Sequence, residues 1–244
     1  MQPRLLLKFE KLQICRIRGR INRFLVEVEK GGEILLAHLA NSGRLEQFLN
    51  PGTLCLCLPQ ERPAKSQLRL IASGEGEYWS ILDTRTHMLS FEKALESELI
   101  PWLEGWKLKG RNARLGNSLI DYLLQKSDQE LFLEIKGAVM HAGELALYPD
   151  APSLRGKKHI QALMDHARKG GGSAMLFISS LPEVRAFSPH EKVDPQIALL
   201  LRQAQNQGVI IRAINLVLDS RNWEVLLLNP DLRVCLGSQD YFMC

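Results

Sequence analysis

The stretch from Ser118 to Gly137 constrains this chain more than any other. Two apolar, strand-like runs, Ser118-Leu-Ile-Asp-Tyr-Leu-Leu-Gln125 and Leu131-Phe-Leu-Glu-Ile-Lys-Gly137, flank a polar segment, Lys126-Ser-Asp-Gln-Glu130, with the composition of a hairpin loop. Closing the loop on Ser127 and Asp128 pairs Lys126 with Gln129, and counting outward puts Asp121 directly opposite Glu134. Glu134 and Lys136 alternate to one face of their strand. Asp121 meets them from the neighbouring strand, with β-carbons about 5 Å apart. Two like charges placed this way, among Ile120, Leu133 and Ile135, suffer both repulsion and desolvation. A divalent cation offsets both, since Mg²⁺ is commonly held by one or two carboxylates together with waters and phosphate. Lys136 would orient or help deprotonate a water on that cation. Asp121, Glu134 and Lys136 are therefore a candidate site for metal-assisted phosphodiester hydrolysis. The alternative is a half-buried hairpin whose acids turn to solvent and pair with Lys136. No other acid-x-Lys triplet occurs in the chain, and this one interrupts an otherwise apolar strand.

Upstream of the hairpin, residues 11–72 read as short β segments. Leu12–Ile17, Phe24–Val28, Glu33–Leu39, Thr53–Leu58 and Leu68–Ala72 are strand-like, and Lys30-Gly-Gly-Glu33 supplies a hairpin turn. Five or six short strands with one helical turn between them suggest a small barrel of the oligonucleotide-binding type, a class that often binds single-stranded nucleic acid on its strand face. The net charge of +4 says little, but its distribution is informative. Arg16, Arg18, Arg20 and Arg23 crowd this region, where they form either a face for phosphates or a solvated, arginine-rich surface.

Ser73-Gly-Glu-Gly-Glu77 reads as a linker, which divides the chain into a barrel domain at 1–76 and a second domain at 77–244. Beyond it strands and helices alternate. Tyr78–Leu82 is strand-like, and Leu89–Leu99 is helical with Leu89, Ala94, Leu95 and Leu99 inward and Glu92 on the same helix. Arg155–Lys169 carries an apolar stripe at Ile160, Leu163, Met164 and Ala167. Asp194-Pro195 marks a helix start, with Asp as N-cap and Pro in the first turn. This is the pattern of an α/β domain with a mixed sheet. One helix carries a conflict: Arg155, Lys157, Lys158 and His159 crowd a helix N-terminus whose dipole is already positive. A phosphate site accounts for the placement; neutralisation by Asp150 or Asp165 is the other account.

The five cysteines are scattered and odd in number, which points to reduced thiols rather than a disulfide framework. No apolar run approaches the ~18 residues needed to cross a membrane. The N-terminal apolar stretch is too short for a signal peptide, so the expected location is the cytoplasm.

The order and spacing of these motifs give the chain a family resemblance over nearly its whole length. It resembles the sugar fermentation stimulation protein A family through Ser118-x-Ile-Asp121, Leu133-Glu-Ile-Lys136, Tyr148-Pro-Asp-Ala151 and Arg155-Gly-Lys-Lys-His159. Phe187-Ser-Pro189, Val193-Asp-Pro195 and Leu201-Arg-x-Ala204 also fit, as do Asn22-Arg-Phe-Leu25, His38-x-x-Asn-Ser-Gly43 and Pro51-Gly52 in the first domain. The resemblance implies an α+β, two-domain protein: an N-terminal OB-like β barrel followed by a C-terminal α/β domain of the PD-(D/E)xK nuclease-like type. It implies DNA binding and a link to sugar, especially maltose, metabolism. It also implies that Asp121, Glu134 and Lys136 are the nuclease-type acids and lysine, with Glu92 matching by position the helix acid that often completes the set. The chain departs from the pattern at Leu119, where an arginine is usual, at Gly137, where an asparagine is usual, and at Leu39-Ala40, where a cysteine-proline pair is usual.

Two functions follow as expectations. One is a Mg²⁺- or Mn²⁺-dependent nuclease in which Asp121, Glu134 and Glu92 bind metal and Lys136 positions water or stabilises charge. The other is a non-catalytic DNA-binding regulator that contacts phosphates through Arg155, Lys157, Lys158 and His159 and the barrel arginines. Homodimerisation is left open by the sequence.

Overall fold

The computed structural model describes residues 2–61 and 65–237. The chain divides into two compact units. The first comprises residues 1–90, 180–182 and 216–228; the second comprises 91–179, 183–215 and 229–244.

In the first unit, β2 (Gln13–Asn22), β3 (Leu25–Lys30) and β4 (Glu33–His38) form an antiparallel meander, following the short β1 (Arg4–Lys8). After a loop come β5 (Leu54–Pro59) and β6 (Leu68–Ser73). β6 runs parallel to β4 and antiparallel to β5, and β5 pairs back onto β2, so the five strands close a barrel. The alternation that builds it is plain in β2, where Cys15 and Ile17 are buried while Arg16 and Arg18 are exposed. Ile17, Val26, Val28, Ala37, Leu56 and Leu70 fill the interior. Cys15, Cys55 and Cys57 are buried free thiols, whereas Cys235 in the second unit is disulfide-bonded, a departure from the expectation of reduced cysteines. Gly74–Glu77 closes a hairpin between β6 and β7 (Tyr78–Ile81), with Ala72 paired to Ile81.

Helix α1 (Thr84–Glu96) follows. It begins five residues before the expected start and exposes Leu89, which was expected inward. Its first buried positions are Thr86, His87 and Ser90, and polar residues leave no apolar period to read.

The second unit is built on a mixed sheet. β8 (Lys107–Leu115), β9 (Ser118–Lys126) and β10 (Gln129–Ala138) are successive antiparallel strands. β11 (Met140–Ala142) and β12 (Leu145–Tyr148) lead to α2 (Leu154–Ala167), and β13 (Gly172–Ser179) then lies parallel to β10. β14 (Ala186–Pro189) and α3 (Pro195–Asn206) precede β15 (Ile210–Asp219), whose first half pairs parallel with β13. β16 (Glu224–Val234) is the last strand among the described residues and gives 224–228 to the first unit and 229–234 to the second. This is an α/β core on a mixed sheet, and together with the barrel it gives the expected two-domain α+β fold. Strand β13 is apolar and almost wholly buried, as a parallel strand covered on both faces should be.

Alternation along β9 and β10 separates the two faces of this sheet. Tyr122 lies on one, 5.0 Å from Phe91 of α1 between ring centroids; Phe132 lies on the other, 5.1 Å from His166 of α2. Asp121, Glu134 and Lys136 share the parity of Phe132, so they stand on the α2 face.

Candidate active site

The turn forms as the spacing predicts. Gln129 pairs with Lys126, and the ladder continues to Leu133 opposite Tyr122. There the backbone pairing stops. One step further, where Asp121 and Glu134 face each other, carboxylates take over from carbonyls. The Asp121 N–H donates to Glu134 Oε2 at 3.2 Å, and the Ile135 N–H donates to Asp121 Oδ2 at 2.9 Å. The two acids are thus fixed by main-chain donors of the opposite strand at the point where the strands part.

Glu134 is 1% exposed, a burial that a carboxylate tolerates only when it is well paired. Its Oε1 accepts from Lys136 Nζ and contacts His159 Nδ1, both at short range. His159 is buried on α2, and Arg155 Nε approaches its Nε2 at 3.4 Å. A guanidinium can only donate, so Nε2 is the acceptor and Nδ1 carries the proton directed at Glu134. The tautomer is set by the partners on either side.

These surroundings push the two acids in opposite directions. Burial and the adjacent Glu134 charge raise the Asp121 carboxyl above its ordinary range, against the pull of Lys136 and the Ile135 N–H. Burial also pushes Glu134 up, but the His159 hydrogen bond and the Lys136 charge outweigh it and hold it below the usual value. Paired carboxyls driven apart in this way are a mark of chemically committed sites.

Helix α2 is aimed by its cap. Ser153 accepts from the Gly156 N–H at 3.0 Å. Glycine at 156 leaves room for the cap, since a Cβ there would sit 2.6 Å from Tyr148 Oη and 2.9 Å from Ser153 Oγ and would push them aside. The cation conflict at this N-terminus has a long-range answer. Lys157 Nζ lies 3.1 Å from Asp194 Oδ1 and donates to Gln196 Oε1 at 2.7 Å, so an acid from the N-cap of α3, neither Asp150 nor Asp165, neutralises it. Arg155 and Lys158 are exposed.

The structure brings Asp121, Glu134, Lys136 and His159 together. Glu92 is held elsewhere: Arg111 Nε and Nη2 each donate to it at 2.7 Å, and Tyr122 Oη donates at 2.9 Å. Tyr122 points to the face opposite Asp121, so Glu92 meets the sheet from the α1 side. The Arg111 bonds hold the Glu92 carboxyl below its ordinary value, with burial opposing and Tyr122 assisting. Arg111 and Tyr122 escaped the sequence reading. Tyr122, next to Asp121 and alternating away from it, was the only available hint. Among the described residues no three His, Cys, Asp or Glu side chains gather into a ready-made metal cage.

The barrel arginines are partly committed. Arg20 donates to the carbonyls of Asn22, Arg23, Gly43 and Arg44 and so staples a loop. Arg16 donates to the Gly52 carbonyl at 3.2 Å, Arg18 pairs with Glu29 at 3.2 Å, and Arg23 is exposed.

Comparison with known proteins places both units. The family model described as the sugar fermentation stimulation protein N-terminal OB domain matches residues 19–81, and the one described as the sugar fermentation stimulation protein RE domain matches residues 85–222. A sugar fermentation stimulation protein homolog of Pyrococcus furiosus is 42% identical over 213 residues, covering 86% of this chain and 91% of that protein. One from Archaeoglobus fulgidus is 38% identical over 232 residues, covering 95% and 99%. The solved structure of Pyrococcus furiosus SfsA in complex with Ca²⁺ superposes with a TM-score of 0.91 at 38% identity, covering 95% of this chain and 99% of that one.

Proposed function

The chain belongs to the sugar fermentation stimulation protein family, and from that premise we propose that its second unit is a DNA-binding, nuclease-like site that uses a divalent cation to hydrolyse phosphodiester bonds. The observation that carries this reading is the Asp121–Glu134 pair, a half-buried and a fully buried carboxyl facing each other where the ladder ends. A pair that repels itself and is desolvated lowers stability unless a cation joins it.

The donor set fits a hard dication. Carboxylate oxygens from Asp121 and Glu134 would hold it, with waters and substrate phosphate completing the shell, as Mg²⁺ prefers. The Ca²⁺ complex of the Pyrococcus furiosus relative supports a divalent cation as a ligand, and Mg²⁺ or Mn²⁺ is the activating ion in this reading. Such an ion supplies Lewis-acid stabilisation of the charge that builds on a phosphodiester.

The chain's own groups do the rest. His159 fixes the Glu134 rotamer through Nδ1–H and is itself oriented by Arg155. Lys136 brings a positive charge to the same carboxylate, beside the position where phosphate oxygens gain negative charge. Glu92 stays with Arg111 and Tyr122 on the α1 side of the sheet, outside this pair.

Calorimetric titration of Mg²⁺, Mn²⁺ and Ca²⁺ into the wild type and Asp121→Ala, with cleavage of end-labelled DNA assayed in parallel, tests the reading. Cation binding and cleavage that vanish in Asp121→Ala, while DNA binding persists, are the expected result. Equal DNA affinity with and without cation, and no cleavage with any of the three ions, would overturn it and leave a non-catalytic DNA-binding protein.

A further inference from the structure

Asp121 has a second neighbour, edge strand β8, which among the described residues pairs only with β9. In that ladder Arg111 faces Tyr122, Ala113 faces Ile120 and Arg114 faces Leu119. Residues directly opposite share a face, so Arg114 stands on the face of Leu119 and, two residues on, of Asp121. A two-residue rise of about 6.7 Å and a strand spacing of about 4.8 Å put the Arg114 and Asp121 α-carbons roughly 8 Å apart. A guanidinium spans that gap.

We propose that Arg114 is a phosphate-binding residue that seats a nucleic-acid backbone beside the Asp121–Glu134 pair; the proposal rests on the function inferred above. Three other cations of this unit are already paired. Arg111 is held by Glu92, Lys109 by Glu130 and Lys157 by Asp194. Arg114 is exposed and makes no side-chain hydrogen bond or ion pair among the described residues. Leu119 opposite it is 49% exposed, so this part of the face is open. Asn112, at the level of Asp121, takes the left-handed conformation at φ 51° and is also exposed. Backbone held there by a residue other than glycine recurs at ligand sites.

Charge balance supplies the reason for the assignment. Two carboxylates repel a phosphodiester, so a bound strand needs fixed positive charge on either side of them. Arg155 provides it from α2, and Arg114 provides it from β8. The alternative role for an edge-strand cation is to block pairing with another chain. That role makes no demand on DNA affinity.

The test is fluorescence anisotropy with a labelled twelve-nucleotide DNA, single-stranded and as a duplex, in Ca²⁺ over a series of salt concentrations. Arg114→Ala should weaken binding about five- to twenty-fold and reduce the slope of log K against log salt by about one phosphate contact. Arg114→Lys should keep the slope and recover part of the affinity. Lys107→Ala removes the same charge from the far end of the same strand and should change affinity less than two-fold. Equal losses in Arg114→Ala and Lys107→Ala, or no loss in Arg114→Ala, overturn the proposal while the functional reading stands. A wild type that binds neither DNA overturns both.

Discussion

Replacing Asp121 by asparagine should make the cation-free protein more stable, although it removes a charge from the centre of the site. The carboxamide would keep an oxygen that can accept the Ile135 N–H bond, now 2.9 Å long. What the substitution removes is repulsion from Glu134. At a β-carbon separation of about 5 Å and an effective dielectric of about 20, two unit charges repel by roughly 3 kcal/mol. Attraction between Asp121 and Lys136 opposes this, and partial exposure of Asp121 screens it. The net gain should be about 1–2 kcal/mol, a rise in Tm of about 2–8 °C for a chain of this size.

A dication at 100 times its Kd should stabilise the wild type by about 2.7 kcal/mol, and the variant by far less. The order of stabilities should therefore reverse, with the variant ahead in EDTA and the wild type ahead in saturating Ca²⁺ or Mg²⁺. Urea titrations in both buffers read it directly. A variant that is less stable than the wild type in EDTA by about 1 kcal/mol or more would show that Asp121 is a net stabilising charge, and the repulsion argument fails. A cation shift that survives the substitution places the ion elsewhere.

Glu134→Gln should behave oppositely. It leaves Lys136 and His159 without their shared anion in a site 1% exposed, and removing one partner of a buried pair costs about 3–5 kcal/mol; denaturant unfolding without cation measures it, and a loss below about 1 kcal/mol would refute the pairing. His87 is fully buried with its Nε2–H on the Ile81 carbonyl, and burial lowers it from 6.5 to about 4. The unfolded chain binds this proton first as pH falls, so the stability is complete above about 6.5 and is lost between there and about 4. Keeping this buried imidazole neutral down to about 4 contributes about 3 kcal/mol. His87→Leu should flatten that part of the stability–pH curve, and an unchanged slope would refute it. Gly156→Ala brings a methyl within 2.6 Å of Tyr148 Oη and should cost about 1–3 kcal/mol despite alanine's better helix propensity, read by thermal melting; a neutral or stabilising result would mean the cap region yields freely.

Local pattern carried much of this molecule. The hairpin register was legible because side-chain alternation and a two-residue turn leave one way to count from Lys126–Gln129 to Asp121–Glu134. Asp194 and Pro195 announced α3 because capping is chemistry of adjacent residues. The start of α1 was hidden because its buried face is Thr86, His87 and Ser90, residues without an apolar period. Strand β8 was invisible because an exposed edge strand of lysine and arginine has no buried face to impose alternation.

By itself the sequence determined the two-domain order, the barrel and the facing acids, since each follows from periods and turns a few residues long. Only the tertiary structure decided which partners those acids have. His159 lies 25 residues from Glu134, and Asp194 lies 37 (194 − 157) from Lys157, separations across which no periodicity reaches. The fold also committed Glu92 to Arg111 and Tyr122 on the opposite face of the sheet. Long-range packing chooses partners by geometry and desolvation, and neither quantity exists until the chain has closed on itself.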